Sequence, residues 1–234
     1  FYYRSCLKVI LRPGDSLHLT FAGNQAEKND LYASLKVTGD AEELNRDLHQ
    51  FLINDTILKP YYQPIARVEP AAFLKHHDSM FGKRDAYISN FIASRPDMAK
   101  ELQSWLTFEQ TMLPVEKILE FPMYYRMYNR AKADSVVYPD NFFKSVNRLN
   151  DLTEDNFVNG NMASLSNHLL FYYYEQINPK NKRLDSKVED SLLFGELKKD
   201  FGANPIPIQL ALADKIKSDL EGMNTKFIDE NYDE

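Results

Sequence analysis

The chain has 234 residues, of which 44% are hydrophobic and 26% charged, a composition typical of globular proteins and unlike that of disordered ones. Its formal net charge is -6, and acidic and basic residues are mixed along the chain, so the basic surface that nucleic acid binding requires is not expected. No apolar run approaches the roughly 20 residues of a membrane-spanning helix. These properties predict a globular protein without a nucleic-acid site or a membrane-spanning segment.

Two strands around a turn are predicted at the start of the chain, over Tyr2–Leu11 and Ser16–Ala22. Their apolar residues alternate with polar ones, which is the period of a half-buried strand. These apolar residues are Tyr3, Leu7, Val9 and Leu11 in the first segment and Leu17, Leu19 and Phe21 in the second. Pro13 and Gly14 occupy the central positions of a type II turn, and a third strand is expected at Ser34–Val37. Because three short strands cannot bury both faces of a sheet, helices or further strands must cover these side chains.

After residue 38 the pattern becomes helical. Asp40 is predicted to cap the first helix, because Glu43 follows three residues later and a stripe of leucines comes after it. The next helical pattern is expected to break at Gly82. Ser94 begins a capping-box sequence, so another helix is predicted to start there, and Pro114 is predicted to kink or end it. Further helices are expected over 120–131, 140–149, 163–177, 184–199 and 206–220.

The fold class predicted from these elements is mainly α, an irregular helical bundle preceded by a small antiparallel β remnant. The change of period divides the chain into strands over 1–38 and a helical domain over 39–234. Aromatic and proline positions do not recur at a fixed period, so a repeat architecture is not expected. The first residue is Phe1 and not Met, which we interpret as the start of a piece of a longer protein.

No catalytic or metal-binding residues are predicted. In the sequence His76-His77-Asp78 the two histidines are adjacent and point about 100° apart on a helix, whereas metal ligands on one helix are commonly spaced i, i+4. His77 lies on an apolar stripe and is interpreted as a core residue. His168, like the other isolated histidines, has no partner at ligand spacing. Cys6 is the one cysteine, so it is expected to be a passive thiol.

Aromatic residues are abundant, with 14 Tyr and 15 Phe, and we interpret them as core residues of the helical bundle. Trp105 in particular is predicted on the buried face of the helix that follows Ser94. The alternative is a helical surface protein that binds glycans or peptides in an aromatic groove. The candidate binding residues of that groove are Trp105, Tyr172, Tyr173 and Tyr174. Neither interpretation involves a cofactor.

The sequence LKVILRPGDSLHLTFAG, the later SLKVTGDAEELNRDLHQFL and the aromatic helical stretch after it resemble a known arrangement. They are similar to the non-catalytic N-terminal region of exported bacterial thioredoxin-like thiol-disulfide oxidoreductases of the TlpA type. In that family a small β-sandwich ends with a strand, a Pro-Gly-Asp turn and another strand, and a helix start of the form G-x-x-x-E-x-N follows. Gly39, Glu43 and Asn45 match this form. The resemblance is most specific over residues 7–52.

The resemblance implies an exported protein of the periplasm or cell envelope, whose opening strands are the end of a β-sandwich. Its helical part would serve the C-terminal thioredoxin domain of the same parent chain, and a protein substrate or a second copy would be its other partner. The CxxC motif of that domain does not occur in these residues, so no catalytic residue is implied. The function expected is therefore that of a non-catalytic accessory or substrate-recognition region.

Overall fold

A computed structural model describes residues 7–21, 33–56, 67–130, 135–154, 162–177 and 186–221. In this part of the chain the helices are α1 (Glu42–Asn54), α2 (Pro70–Ala93), α3 (Lys100–Tyr128), α4 (Met162–Ile177), α5 (Ser186–Phe201) and α6 (Pro205–Glu221), with a 3-10 helix at Lys144–Asp151. Two strands, β1 (His18–Thr20) and β2 (Lys36–Thr38), form an antiparallel sheet. The predicted fold class is confirmed. None of the described helices is long and apolar enough to cross a membrane.

The sheet differs from the predicted hairpin, because β1 pairs with β2 while residues 7–17 form no strand. The turn itself has the predicted geometry. The amide of Asp15 donates to the carbonyl of Arg12 at 3.0 Å, and Gly14 has a φ of +91°, as the third position of a type II turn requires. A type II turn splays the two chains that it joins, so the segment before it does not pair with β1. Residues 2–6 of the predicted first strand lie outside the described residues.

The first segment also buries a different residue from those predicted. Val9 and Leu11 are 40% and 49% exposed, whereas Ile10, between them, is 7% exposed and belongs to a hydrophobic core. A strand would turn the odd positions inward. Here the backbone of position 10 is bound by Asn45 of α1, and this contact turns Ile10 inward instead.

Helix α1 carries the predicted leucine stripe on its buried face. Its N-cap residue is Ala41, however, and not Asp40. The Asp40 carboxylate accepts two hydrogen bonds from Ser16, from the amide at 3.0 Å and from the hydroxyl at 2.7 Å. A contact between distant parts of the chain therefore replaces the local cap that the sequence predicted.

The predicted break at Gly82 does not occur, α3 does not end at Pro114, and one predicted helix start is displaced. Helix α2 runs through Gly82, where an added Cβ would find open space. Helix α3 does not start at Ser94, whose hydroxyl donates to the carbonyl of Phe91 at 2.9 Å and so closes the end of α2. Helix α3 continues through Pro114 and includes most of the predicted helix 120–131.

Pro114 is tolerated inside α3 because a residue from elsewhere supplies the missing donor. Proline has no amide hydrogen, so the carbonyl of Gln110, four residues earlier, loses its helical partner. Arg148 of the 3-10 helix donates from Nη1 to this carbonyl at 2.9 Å. The helix can therefore continue without an unsatisfied buried carbonyl at this turn.

The last three helices follow the predictions closely. Helices α4, α5 and α6 occur where 163–177, 184–199 and 206–220 were expected, and they pack against one another. The predicted helix 140–149 is instead the 3-10 helix. Its buried residues Val146 and Leu149 are three positions apart, which is the period at which side chains align in a 3-10 helix.

The chain forms two compact units. The first consists of Phe1–Gln63 and Ser79–Thr107, and the second of Pro64–Asp78 and Phe108–Glu234. Helices α2 and α3 contribute residues to both units. The predicted division after residue 38 marks a change of secondary structure and does not coincide with the division into units, because the strands belong to the same unit as α1.

Each unit has its own hydrophobic core in the described residues. The fully buried side chains of the first unit include Phe51, Ile88, Leu102 and Leu106. Those of the second include Phe108, Leu165, Leu193 and Phe201, which come from α3, α4 and α5. The aromatic residues of both units are therefore largely core residues, as the sequence predicted.

Asn204 holds the 3-10 helix to the start of α6. Its side-chain amide donates to the carbonyls of Leu149, Asn150 and Leu152 at 3.3, 3.0 and 2.8 Å. Its side-chain oxygen accepts the amide of Ile206 at 3.0 Å, as an N-cap residue does, with proline at the first helical position. This one side chain, only 8% exposed, thereby forms hydrogen bonds with carbonyls at the end of the 3-10 helix and with an amide at the start of α6.

Candidate functional site

The residues that carry the family resemblance lie together in the first unit, where Asn45 binds an extended segment to α1. The amide of Ile10 donates to Asn45 Oδ1 at 2.9 Å, and Asn45 Nδ2 donates to the carbonyl of Ile10 at 2.8 Å. Asn45 Nδ2 also donates to the carbonyl of Ala41 within α1, at 2.9 Å. The asparagine is fully buried. Its side chain therefore makes the pair of hydrogen bonds that a neighbouring strand would make.

Gly39 brings the end of β2 against the same segment. Its φ is +113°, and an added Cβ would lie 2.5 Å from the carbonyl oxygen of Ser16. Only glycine adopts this backbone conformation and this close approach without strain. Next to it, the Ser16 hydroxyl donates to Asp40 and lowers the pKa of that carboxyl. Glu43, the remaining residue of the motif, is exposed on α1.

An ion pair connects the turn of this segment to α3. Arg12 binds Glu101 with two hydrogen bonds, from Nε to Oε1 at 2.5 Å and from Nη2 to Oε2 at 2.8 Å. These bonds lower the pKa of Glu101 to about 2. His49 of α1 contacts the carbonyl of Lys8 at 3.0 Å, and burial lowers the pKa of its imidazole. Segment 7–17 is thus attached to the helices at several points along its length.

Three apolar side chains in segment 7–17 and next to β1 nevertheless face solvent. Val9 and Leu11 are 40% and 49% exposed, and Phe21, just after β1, is 53% exposed. Among the described residues, the helices therefore cover the apolar side chains of segment 7–17 and β1 only in part.

A groove in the first unit lies between β2 and α1. Its volume is about 580 Å³, and aliphatic residues line it together with polar side chains of α1. The lining includes Leu35, Val37, His49 and Ile53. This groove was not expected from the sequence, because it arises where the short sheet lies along the helix.

The aromatic residues proposed as a binding groove belong to different units, and each lies in or against the core of its unit. Trp105, in the first unit, is 5% exposed and packs edge-to-face on Phe51, with ring centroids 6.0 Å apart. Tyr173, in the second unit, is 2% exposed, and its hydroxyl donates to Asp200 at 2.6 Å. Tyr172 and Tyr174 are half-buried. The predicted burial of Trp105 is confirmed, and the ligand-binding role of the four residues stays a prediction.

The histidines divide into two kinds. His77 is 2% exposed and both ring nitrogens have partners, Nε2 the carbonyl of Pro114 at 2.9 Å and Nδ1 the carboxylate of Asp78 at 3.1 Å. Its interpretation as a core residue is confirmed. His168 is different, because its Nδ1 is buried and has no hydrogen-bond partner in the part of the chain that the structure describes.

His168 also has potential metal ligands beside it in the structure, although it has no partner at ligand spacing in the sequence. A ring nitrogen of His168 and carboxylate oxygens of Glu116 and Glu120 all lie within 4.8 Å of one another. The signal in the sequence was the pair of glutamates at i, i+4 within the apolar stretch that became α3. The contribution of α4 could not be read from spacing, because the histidine is 48 residues beyond Glu120 and reaches it only through helix packing.

Comparison of the chain with models of protein families, with curated proteins and with solved structures gave no match.

Two glycine substitutions are expected to have opposite effects. Gly39→Ala should lower the free energy of unfolding by about 2 kcal/mol or more, because it combines a left-handed φ with a clash against the Ser16 carbonyl. Gly82→Ala should raise it by about 0.5–1 kcal/mol, because the site is an exposed helix interior with open space. Urea unfolding of the two variants measures both. A Gly39→Ala variant as stable as wild type would contradict the close approach.

Trp105→Ala is expected to lower the free energy of unfolding by about 3–5 kcal/mol, as the removal of a large aromatic side chain from a core does. Phe21→Ala is the control, because this ring is 53% exposed and its loss should cost no more than about 0.5 kcal/mol. Denaturant unfolding of the two variants makes the comparison. An unchanged stability of Trp105→Ala, with loss of binding to a glycan or peptide, would instead assign the ring to a ligand site.

Proposed function

We propose that the chain is a non-catalytic accessory or substrate-recognition region of a thioredoxin-like thiol-disulfide oxidoreductase of the TlpA type, exported to the periplasm or cell envelope. The thioredoxin domain of the same parent chain would carry the chemistry. The observation that carries this proposal is the shared role of Gly39 and Asn45. Of these two residues of the G-x-x-x-E-x-N motif, Asn45 binds the segment with the Pro-Gly-Asp turn to α1, and Gly39 permits the close approach of that segment just before the helix.

The contacts of Asn45 and Gly39 with segment 7–17 make the agreement with the G-x-x-x-E-x-N motif more informative than sequence similarity alone. Asn45 fits because a buried amide can satisfy both backbone groups of Ile10 at once. Gly39 fits because a side chain there would collide with Ser16. A chance likeness would not require that both matching residues contact the same segment, at Ile10 and at Ser16. These two contacts support the arrangement that the resemblance implies, in which the last β segment of a sandwich is followed directly by a helical region.

The exposed apolar side chains of Val9, Leu11 and Phe21 support the same arrangement. Neighbouring strands of a sandwich would remove them from water, and each would then contribute roughly 25 cal/mol per Å² of buried apolar area. The groove between β2 and α1 offers a separate surface at which the accessory region could contact a protein substrate.

The residues of the chain also favour a non-catalytic role. Disulfide reduction proceeds by attack of a thiolate and resolution of the mixed disulfide by a second thiol. The chain has one cysteine, Cys6, which lies outside the described residues. Dithiol exchange therefore requires a CxxC motif from another part of the parent protein.

The activity is tested with insulin reduction by the 234-residue chain and by the natural parent protein. We expect turnover by the parent, no turnover by the chain alone, and unchanged turnover by the parent with Cys6→Ser. A parent reading frame without a CxxC-bearing thioredoxin domain would overturn the proposal. Insulin reduction by the chain alone that is lost in Cys6→Ser would also overturn it, because Cys6 would then be catalytic.

The junction is tested with Phe21→Asp in both proteins. In the chain alone Phe21 is 53% exposed, so the substitution should change the melting temperature little. In the parent, strands of the sandwich should cover the ring, so the buried charge should lower the melting temperature of this region by several degrees. Val137→Asp is the control, because its side chain is 83% exposed and should give the same small effect in both. Equal effects of Phe21→Asp in the two proteins would contradict the sandwich.

A further inference from the structure

Two carboxylates of α3 form one side of a buried polar cluster in the second unit. Glu116 and Glu120 are one helical turn apart, so their side chains lie on the same face of the helix. Glu116 is 7% exposed, and the side chain of Glu120 is 12% exposed. Carboxylates in such surroundings are rarely buried unless cations or hydrogen-bond donors accompany them.

Helix α4 places His168 against these two carboxylates. One nitrogen of its ring lies within 4.8 Å of a carboxylate oxygen of each glutamate. Nδ1 of this ring is buried without a hydrogen-bond partner among the described residues, whereas both nitrogens of the core residue His77 have partners. An unsatisfied buried polar atom costs about 1–3 kcal/mol, so a core histidine normally avoids it. His168 thus has the surroundings of a ligand more than those of a structural residue.

We propose that Glu116, Glu120 and His168 form a binding site for one divalent transition-metal ion, with Zn²⁺ as its representative. The donor set is two carboxylate oxygens and one imidazole nitrogen, which Zn²⁺ accepts at about 2.0–2.2 Å. An imidazole favours such ions over Mg²⁺ and Ca²⁺, which prefer oxygen ligands alone. Ligands of a tetrahedral ion lie about 3.4 Å apart, so closing from within 4.8 Å requires only side-chain rotations.

Lys117 is compatible with this site and orients it. Its Nζ donates to Glu120 Oε2 at 2.7 Å, and its side chain is 7% exposed. A carboxylate has two oxygens, so Glu120 can accept this hydrogen bond on one and bind the ion through the other. Hydrogen-bonded carboxylates of this kind are usual around metal sites. Three protein ligands leave a position of the ion to water or to a further ligand. The inference is independent of the thioredoxin-like function proposed above.

The test is a titration of the metal-free 234-residue chain with Zn²⁺, followed by calorimetry, and with Co²⁺, followed by its visible spectrum. We expect one ion per chain, a Co²⁺ spectrum of low coordination number with mixed nitrogen and oxygen ligands, and a higher melting temperature with Zn²⁺. Glu120→Gln and His168→Gln should each raise the Kd by more than the roughly 10–100-fold that loss of an outer-shell partner costs. The same variants should abolish the rise in melting temperature.

Two matched controls distinguish this site from surface binding. Glu196→Gln removes a carboxylate that pairs with Lys199 at i, i+3, as Glu120 pairs with Lys117, but on an exposed surface. His76→Gln removes an exposed histidine of α2. Both should leave the Kd unchanged. Absence of one-to-one binding by the wild-type chain would overturn the proposal even if the ligand variants do not fold, and equal affinity of wild type and folded ligand variants would overturn it as well.

Discussion

The fold depends on how the chain satisfies buried backbone groups where neither a helix nor a sheet can do so. Two asparagines, one in each unit, form hydrogen bonds with such groups. Asn45 pairs with both backbone groups of Ile10, and Asn204 binds three carbonyls at the end of the 3-10 helix while capping α6. A side-chain amide suits this task because it offers donors and an acceptor in one plane. Connecting segments are thereby fixed to helices without belonging to a sheet.

Helix α3 shows the same constraint in another form. Pro114 has no amide hydrogen to donate to the Gln110 carbonyl, and Arg148 donates to that carbonyl instead. The helix therefore continues beyond the proline, and Glu116 and Glu120 lie one turn apart in the part that follows it. The same part of α3 lies near His168 of α4 at the candidate metal site.

The helical content, the leucine stripe of α1, the turn at Pro13-Gly14 and the bounds of the last helices could be predicted from local pattern. Ser94 was misassigned for a local reason: it looks like the start of α3, but its hydroxyl binds the carbonyl of Phe91, three residues earlier, and closes α2. The other errors occur where a distant residue determines the structure. Ile10 is buried against the alternation because Asn45 binds its backbone. The proximity of His168 to two glutamates depends on helix packing, which spacing within one sequence does not encode.

The hydrogen bond from Arg148 to the Gln110 carbonyl also affects the order in which the chain folds. A helix that needs only its own residues can form early and locally, but the turn at Pro114 needs Arg148, which lies 38 residues beyond the Gln110 carbonyl that it binds. Closing the loop between Gln110 and Arg148 costs chain entropy, and this cost precedes any stabilisation of α3 by the contact. This part of α3 is therefore expected to consolidate together with the 3-10 helix, in a later, more cooperative step than the helices whose contacts are close in sequence.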